Sequence, residues 1–407
     1  MSPASAFTGK TRALALIALA QFLALSVWFA GAAALPALLE ATPLSAFRQA
    51  ALTSAVQAGF VVGALLSALY GLPDRIEPRR LFAIGAAIAA LANLAALALP
   101  PGGLAMIVSR AIAGAALALV YPVGMKLAAS WARDDAGLLV GLLVGALTLG
   151  SATPYLFNLA EIGLGWQTPF ALSGIVALIS SGIILLARAG PGLHAAAAFD
   201  PGAIQLAFRD PALRLANLGY LGHMWELYAM WAWIGPFLHA YWALQARSGV
   251  ASAANLSAFA VIAIGAIACV LAGRAADRFG RTSVTMLAMA ISGSCALLVG
   301  FLFEASPWLM LPLLMIWGMS VIADSAQFSA AITELAPADR VGTLLTAQTA
   351  MGFALTTLLV QILPLWIGVS GWSYAFAPLA IGPAVGVWAM WRLRQRPEAR
   401  RMAGGRR

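Results

Sequence analysis

The 407-residue chain alternates blocks of about twenty apolar residues with short breaks that carry charge, proline or glycine. Taking about 20 apolar residues as the length that crosses a bilayer as a helix predicts twelve spans. They cover residues 13–39, 49–71, 80–99, 103–131, 137–160, 167–187, 213–243, 251–272, 283–303, 307–333, 341–368 and 372–392. The longest polar break, Ala189 to Pro211, holds three prolines and separates six spans from six. The expected organisation is an all-α membrane protein: a six-helix bundle over 1–188, a linker over 189–211, a second bundle over 212–393 and a basic tail over 394–407.

Repetition supports the division. The break after the second span reads GLPDRIEPRR and the break after the eighth reads GRAADRFGR, which puts Asp74-Arg75 and Asp277-Arg278 in short loops 203 positions apart. The turns WARDDAG and LAPADRVG occupy matching places between spans four and five and spans ten and eleven. Two related halves with a site between them are the sequence signature of many transporters.

Composition narrows the class. With 62% hydrophobic and 10% charged residues the chain is far outside the range of soluble domains. The net charge of +9 would fit a nucleic-acid binder, but the bases sit in the breaks and tail. With both termini cytoplasmic, twenty basic residues fall inside and two, Arg48 and Arg247, fall outside. That asymmetry supports an even span count in an inner membrane. The first apolar run is too long for a cleaved signal, and Arg (22) over Lys (2) with abundant Ala hints at a high-GC bacterial genome. Cys269 and Cys295 lie inside apolar runs without metal-ligand spacing, so no metal or other cofactor is expected. His194 reads as a solvated loop residue.

Polar residues inside spans are expensive, which makes them the candidate chemistry. Arg110 lies about eight residues into the fourth span, with Gly114 and Tyr121 on its face, and could meet an anionic solute or a proton-relay carboxylate. Lys126, near the same span's end, is expected to snorkel to the headgroups. On the seventh span His223 and Glu226 lie three apart, about 60° from each other around a helix, with Arg110 as a prospective counterpart across the junction. An apolar surrounding favours the neutral carboxylic acid, so Glu226 could take and release a proton as its cavity wets and dries. Ser320, Asp324 and Gln327 form a polar stripe on the tenth span, and Gln21 with Trp28, Gln57 and Gln348 suggest a polar-lined centre. Tyr220 and Tyr228 lie too deep for an interfacial belt and offer rings for packing or for stacking on a planar solute.

The loop residues Gly273, Asp277, Arg278, Gly280 and Arg281 match the G-x-x-x-D-R-x-G-R motif of the major facilitator superfamily, with Asp74, Arg75, Arg79 and Arg80 as a degraded copy holding Tyr70 and Glu77 at two glycine positions. Arg110-x3-Gly114 and Tyr121-Pro122-Val123-Gly124 resemble that family's fourth-helix motif, associated with proton coupling. Gly141, Gly145, Gly150 and Pro154 are partly similar to its antiporter motif. The resemblance implies twelve helices in two pseudo-symmetric six-helix bundles around a central cavity, opened alternately to each side by breaking the loop-motif pairs. It implies a monomeric secondary transporter whose partners are a small organic solute, protons and the lipid bilayer. No nucleophile-base set and no ATP-type phosphate loop is present, so an enzyme or an ATP-driven pump is not expected. An uncoupled facilitator and a transporter-fold sensor or assembly factor remain as alternatives.

Overall fold

The computed structural model describes residues 3–132, 135–160, 162–193, 199–245 and 248–406. Arg133, His194, Arg247 and Arg407, used in the loop and charge readings, lie outside them. Among the described residues there are helices and connections and no strand. Eleven stretches are long and apolar enough to cross a bilayer: α1 (Gly9–Ala41), α2 (Ala46–Leu69), α3 (Pro78–Ala98), α4 (Leu104–Ala129), α5 (Gly137–Phe157), α6 (Gly165–Leu186), α8 (Val250–Phe279), α9 (Arg281–Leu302), α10 (Pro307–Leu335), α11 (Val341–Ser370) and α12 (Trp372–Arg394). Between them α7 (Pro211–Gln245) runs 35 residues without interruption, roughly 50 Å at 1.5 Å per residue. Its histidine, glutamate and crowded indoles and phenols make it the least apolar of the long helices.

The two halves repeat each other in their packing. A Cβ at Gly114 of α4 would overlap the carbonyl oxygen of Val56 of α2, and a Cβ at Gly318 of α10 would overlap that of Val261 of α8. These contacts are 204 and 205 positions apart, so in each half a glycine of the fourth helix presses on the second, and in the first half Gly59 and Gly63 of α2 press on α4 in turn. Five spans are broken by turns: α1 at Ser26–Phe29, α4 at 118–120, α8 at Ile264, α10 at Asp324 and α12 at 375–376. A broken backbone in hydrocarbon leaves carbonyls that something else must satisfy.

The halves meet along α2 with α11, α5 with α8, and α1 with α7. Both described chain ends lie on one face, here the terminal face, where Lys10 pairs with Asp135 at 2.7 Å and Arg406 donates to the Asp277 carbonyl. The expected Asp-Arg loops are in fact helical ends. Asp74 and Arg75 form a one-turn helix, Leu72–Arg75, and Asp277 and Arg278 ride the last turn of α8. The helix continues there because polar residues beyond the hydrocarbon do not oppose it. Gly280, at φ +92°, makes the turn into α9, a conformation that favours glycine.

Candidate functional site at the junction of the halves

Arg110 is fully buried and makes four hydrogen bonds from its five N–H donors, all within the first half. Nε donates to Leu52 O at 3.2 Å, Nη2 donates to Val27 O at 2.7 Å and Trp28 O at 3.0 Å, and Nη1 donates to Asn93 Oδ1. Its guanidinium also lies 5.5 Å from the Phe170 ring centroid. Val27 and Trp28 belong to the break in α1, so Arg110 bonds carbonyls there, at the negative end of the helical segment that finishes at Leu25. Among the described residues no carboxylate lies within 4.0 Å of it. The pairing of Arg110 with His223 and Glu226 is not what the structure contains.

Glu226 is buried and turned into the second half. Oε2 accepts from Ser292 Oγ of α9 and Oε1 from Trp317 Nε1 of α10, each at 2.7 Å. Two donors fix the carboxyl in a packed layer, so it does not line the junction as expected. His223 and Asp324 make a different pair. His223 Nδ1 lies 2.8 Å from Asp324 Oδ1, both side chains are 1% exposed, and the oxygen is off the ring N–H axis. His223 Nε2 and Asp324 Oδ1 have no hydrogen-bond partner. Asp324 sits at the break in α10 and close to Cys269 of α8, which stands near Tyr121 of α4 and faces α5. The expected stripe divides: Ser320 bonds its own helix at Ile316 O, Asp324 meets His223, and Gln327 accepts from Arg281 at 2.8 Å.

Between the acids and the opposite face, rings from both halves fill the middle of the junction. Trp28 lies 5.0 Å from Phe60, 5.3 Å from Phe353 and 5.8 Å from Tyr228. Tyr228 lies 5.6 Å from Trp231, and Phe29 joins both. Several buried polar atoms at this level have no partner: Trp28 Nε1, Trp231 Nε1 and both amide atoms of Gln57. On α2, Gln57 lies one turn from Phe60, which touches Phe353 of α11, and one turn from Ser54, which accepts from Gln361 of α11 at 2.7 Å. It stands nearly opposite Gly59, which packs on α4, and between Ser54 and Phe60, which meet α11, so it faces the junction.

The other candidates are placed as follows. Gln21 donates to Leu143 O at 3.0 Å in the space that Gly124 leaves by lacking a Cβ, tying α1 to α5 inside the first half. Gln348 donates to Asn217 Oδ1 at 3.1 Å. Tyr121 stands near Tyr220 and Tyr228 across the junction. Lys126 does not snorkel: it pairs with Asp74 and donates to Pro73 O at 3.0 Å. On the terminal face a Cβ at Gly137 of α5 would sit 3.2 Å from Asp277 Oδ2 and one at Gly273 3.7 Å from Gly137 O, so the motif closes the α5 and α8 seam. Gly141 and Gly145 continue that seam, while Gly150 packs on α1. On the opposite face Asn158 donates to Asn255 Oδ1 at 3.0 Å. A cavity of about 380 Å³ lies on that side, lined by Leu35, Glu40, Trp233, His239 and Trp372 among others.

A family model described as Major Facilitator Superfamily matches residues 17–354. The chain belongs to that superfamily. The nucleoside transporter NupG superposes with a TM-score of 0.71 at 15% identity, over 93% of this chain and 99% of that one. A D-xylose-proton symporter superposes at 0.75 with 15% identity, over 96% and 99%. The xylose transporter XylE from E. coli gives 0.73 at 14%, over 94% and 99%. A curated relative, an uncharacterized 38 kDa protein in the 23S RNA operon of Thermoproteus tenax, is 28% identical over 233 residues; the match spans 56% of this chain and 57% of the relative.

The superfamily's architecture of twelve helices in two halves is thus the one expected from the sequence, and its members in this comparison are transporters, not enzymes. What sequence reasoning missed is the company the candidates keep. Phe29, Phe60, Phe353, Asn93, Ser292 and Trp317 carry no signal beyond ordinary apolar or small-polar character. One signal was available. Trp28 and Trp231 are 203 positions apart, the offset of Asp74 and Asp277, and mark equivalent places in the two halves.

Proposed function

We propose that this membrane protein is a secondary transporter that moves a small organic solute by alternating access, with proton movement coupled through His223 and Asp324. The observation that carries the reading is the midplane cluster of buried, partnerless polar atoms between two halves whose seams meet on both faces. Each such atom costs about 1–3 kcal/mol, a cost that a bound solute would remove. Rocking of one half against the other would open the cluster to one face at a time. The seams are made of glycine contacts and a few side-chain hydrogen bonds, which a rigid-body movement can separate.

The His223 and Asp324 pair suits a proton carrier better than Glu226. It lies at a helix break beside the junction and has unused hydrogen-bonding capacity, whereas both Glu226 oxygens are occupied. We place the terminal face in the cytoplasm of a cell with an inner membrane, on the strength of the basic residues, and take the monomer as the working unit. The solutes named for the structural neighbours, a nucleoside and xylose, support a small polar organic cargo.

The test is uptake by the purified protein in vesicles, with labelled uridine, D-xylose and benzoate, under an imposed acid-outside gradient. Accumulation that a protonophore collapses is expected for at least one probe. Asp324→Asn should abolish gradient-driven accumulation while leaving exchange of internal for external solute. Mutant uptake that still follows the pH gradient would sink the coupling role; absence of flux for every probe would sink transport by this chain.

A further inference from the structure

We infer, on the basis of the transport reading, that the solute is a planar, uncharged heterocycle whose edge carries a C=O and an N–H side by side, the lactam edge of a nucleobase. Three features of the midplane cluster point there. The first is flatness. Rings of Trp28, Phe60, Phe353, Tyr228 and Trp231 come from α1, α2, α7 and α11 with centroids 4.7–5.8 Å apart, so a guest between them meets ring faces and edges on several sides. A planar guest can keep such contacts by replacing one ring in the stack.

The second is the carboxamide of Gln57. It is 0% exposed and neither its oxygen nor its nitrogen has a partner. A carboxamide with both groups unused matches a C=O and N–H pair bidentately, the geometry by which glutamine reads a base edge. Trp28 and Trp231 add one unused indole N–H each, and an indole nitrogen can only donate. They serve a second ring carbonyl or ring nitrogen. That they occupy equivalent places in the two halves lets each half hold the same guest as the halves rock.

The third is charge. Arg110 makes its four hydrogen bonds to Leu52, Val27, Trp28 and Asn93, Glu226 is held by Ser292 and Trp317, and Asp324 is beside His223. The His223 and Asp324 pair keeps unused atoms, but His223 packs on Tyr220 and Phe328 and not on the five rings, so among the described residues no charged group with free capacity is seen against the rings to favour an ionic solute. A sugar carries a hydroxyl on nearly every ring carbon and would need more polar groups than the Gln57 amide, the Trp28 and Trp231 indoles and the Tyr228 hydroxyl supply.

Binding to the full chain in lipid nanodiscs, read by calorimetry, tests this with uracil, hypoxanthine, D-xylose, benzoate and choline as probes. Uracil or hypoxanthine is expected to bind and the other three are not. Gln57→Leu, close in volume, should lower that affinity about tenfold or more, and Trp28→Phe or Trp231→Phe severalfold. Because Gln57→Leu removes an unsatisfied buried amide, the empty variant should melt no lower than the parent, which separates lost recognition from lost folding. Failure of both heterocycles to bind, or binding that Gln57→Leu leaves intact, overturns the inference. If D-xylose or benzoate instead binds and is taken up by vesicles, the lactam inference falls and transport stands. If uracil or hypoxanthine binds through Gln57 but no probe crosses the membrane, transport falls and the lactam site stands.

Discussion

Each half must seal the contact between its first and fourth helices, and the two halves use different chemistry. In the first half α1 is broken at Ser26–Phe29 and Arg110 of α4 donates to the carbonyls of Val27 and Trp28. In the second half α7 is continuous, the acceptor is the Glu226 side chain, and the donor is Trp317 of α10. There α10 is broken at Asp324, as its counterpart α4 is at 118–120, and only the break in the first helix is missing. A guanidinium stays charged under all ordinary conditions, whereas carboxyls and imidazoles do not. Under the proposed transport mechanism the difference gives the halves different tasks: the first is a fixed wall around Arg110, and the second holds the groups proposed to carry the proton.

The largest effect should come from breaking the fixed wall. Arg110→Leu leaves the acceptors at Leu52, Val27, Trp28 and Asn93 without their donor inside the membrane. At about 1–3 kcal/mol per unsatisfied group, the variant should be missing from the membrane fraction or melt far below the parent in detergent. Arg110→Lys keeps the charge but cannot span acceptors on α1, α2 and α3, so it should also melt well below the parent. Parental melting of the lysine variant would mean that charge alone, and not the planar fork, holds α1.

The matching change in the second half should be milder. Glu226→Gln keeps an acceptor for Trp317, and Ser292 can turn its hydroxyl to accept from the new amide. Melting should fall by about 1 kcal/mol or less in stability, and because both oxygens are occupied in the resting state, pH-dependent uptake should persist. Glu226→Leu strands the Trp317 Nε1 donor, while Ser292 keeps Met289 O as an acceptor, and should cost about 1–3 kcal/mol. If Glu226→Gln abolishes proton-driven uptake, the carrier is Glu226 and the assignment to His223 and Asp324 is reversed.

Twelve spans in two sets were legible because a bilayer imposes both length and composition, and because the Asp74 and Asp277 turns repeat at a fixed offset. Polar residues within spans were legible as candidates for the same reason. Their partners were not. Whether Glu226 turns to His223, to Arg110 or to Trp317 depends on helix rotation within the bundle, and in a helix that is buried almost all round the sequence has no polar face to fix that rotation. Lys126 was misassigned because a lysine near a helix end can snorkel or reach a neighbour, and only the position of Asp74 decides between them. The α1 break left no mark either: Ser26 to Phe29 contains neither proline nor glycine, and its stabiliser lies some eighty residues away.

A last pair of regions tests the symmetry where it costs least. On the terminal face Asp74 pairs with Lys126, and Arg281 is held in a two-pronged pair by Glu334 at 2.8 and 2.6 Å. The partners are 52 and 53 positions apart, and although Arg281 stands four residues past Asp277, the counterpart of Asp74, each half ties the connection after its second helix to its fourth helix, with the charges reversed. The second tie is the stronger, because Glu334 also accepts from the backbone nitrogen of Ala403 in the tail, and Arg281 reaches Gln327 as well. Glu334→Gln should therefore lower stability by about 1–2 kcal/mol, and Asp74→Asn, at a more exposed pair, by about 1 kcal/mol or less. Exchanging the charges in the first half, Asp74→Lys with Lys126→Asp, should recover most of what either single change loses if the tie is electrostatic. A double variant no better than the singles would show that Asp74 acts through the Leu72–Arg75 turn, and that the two locks resemble each other in place but not in kind.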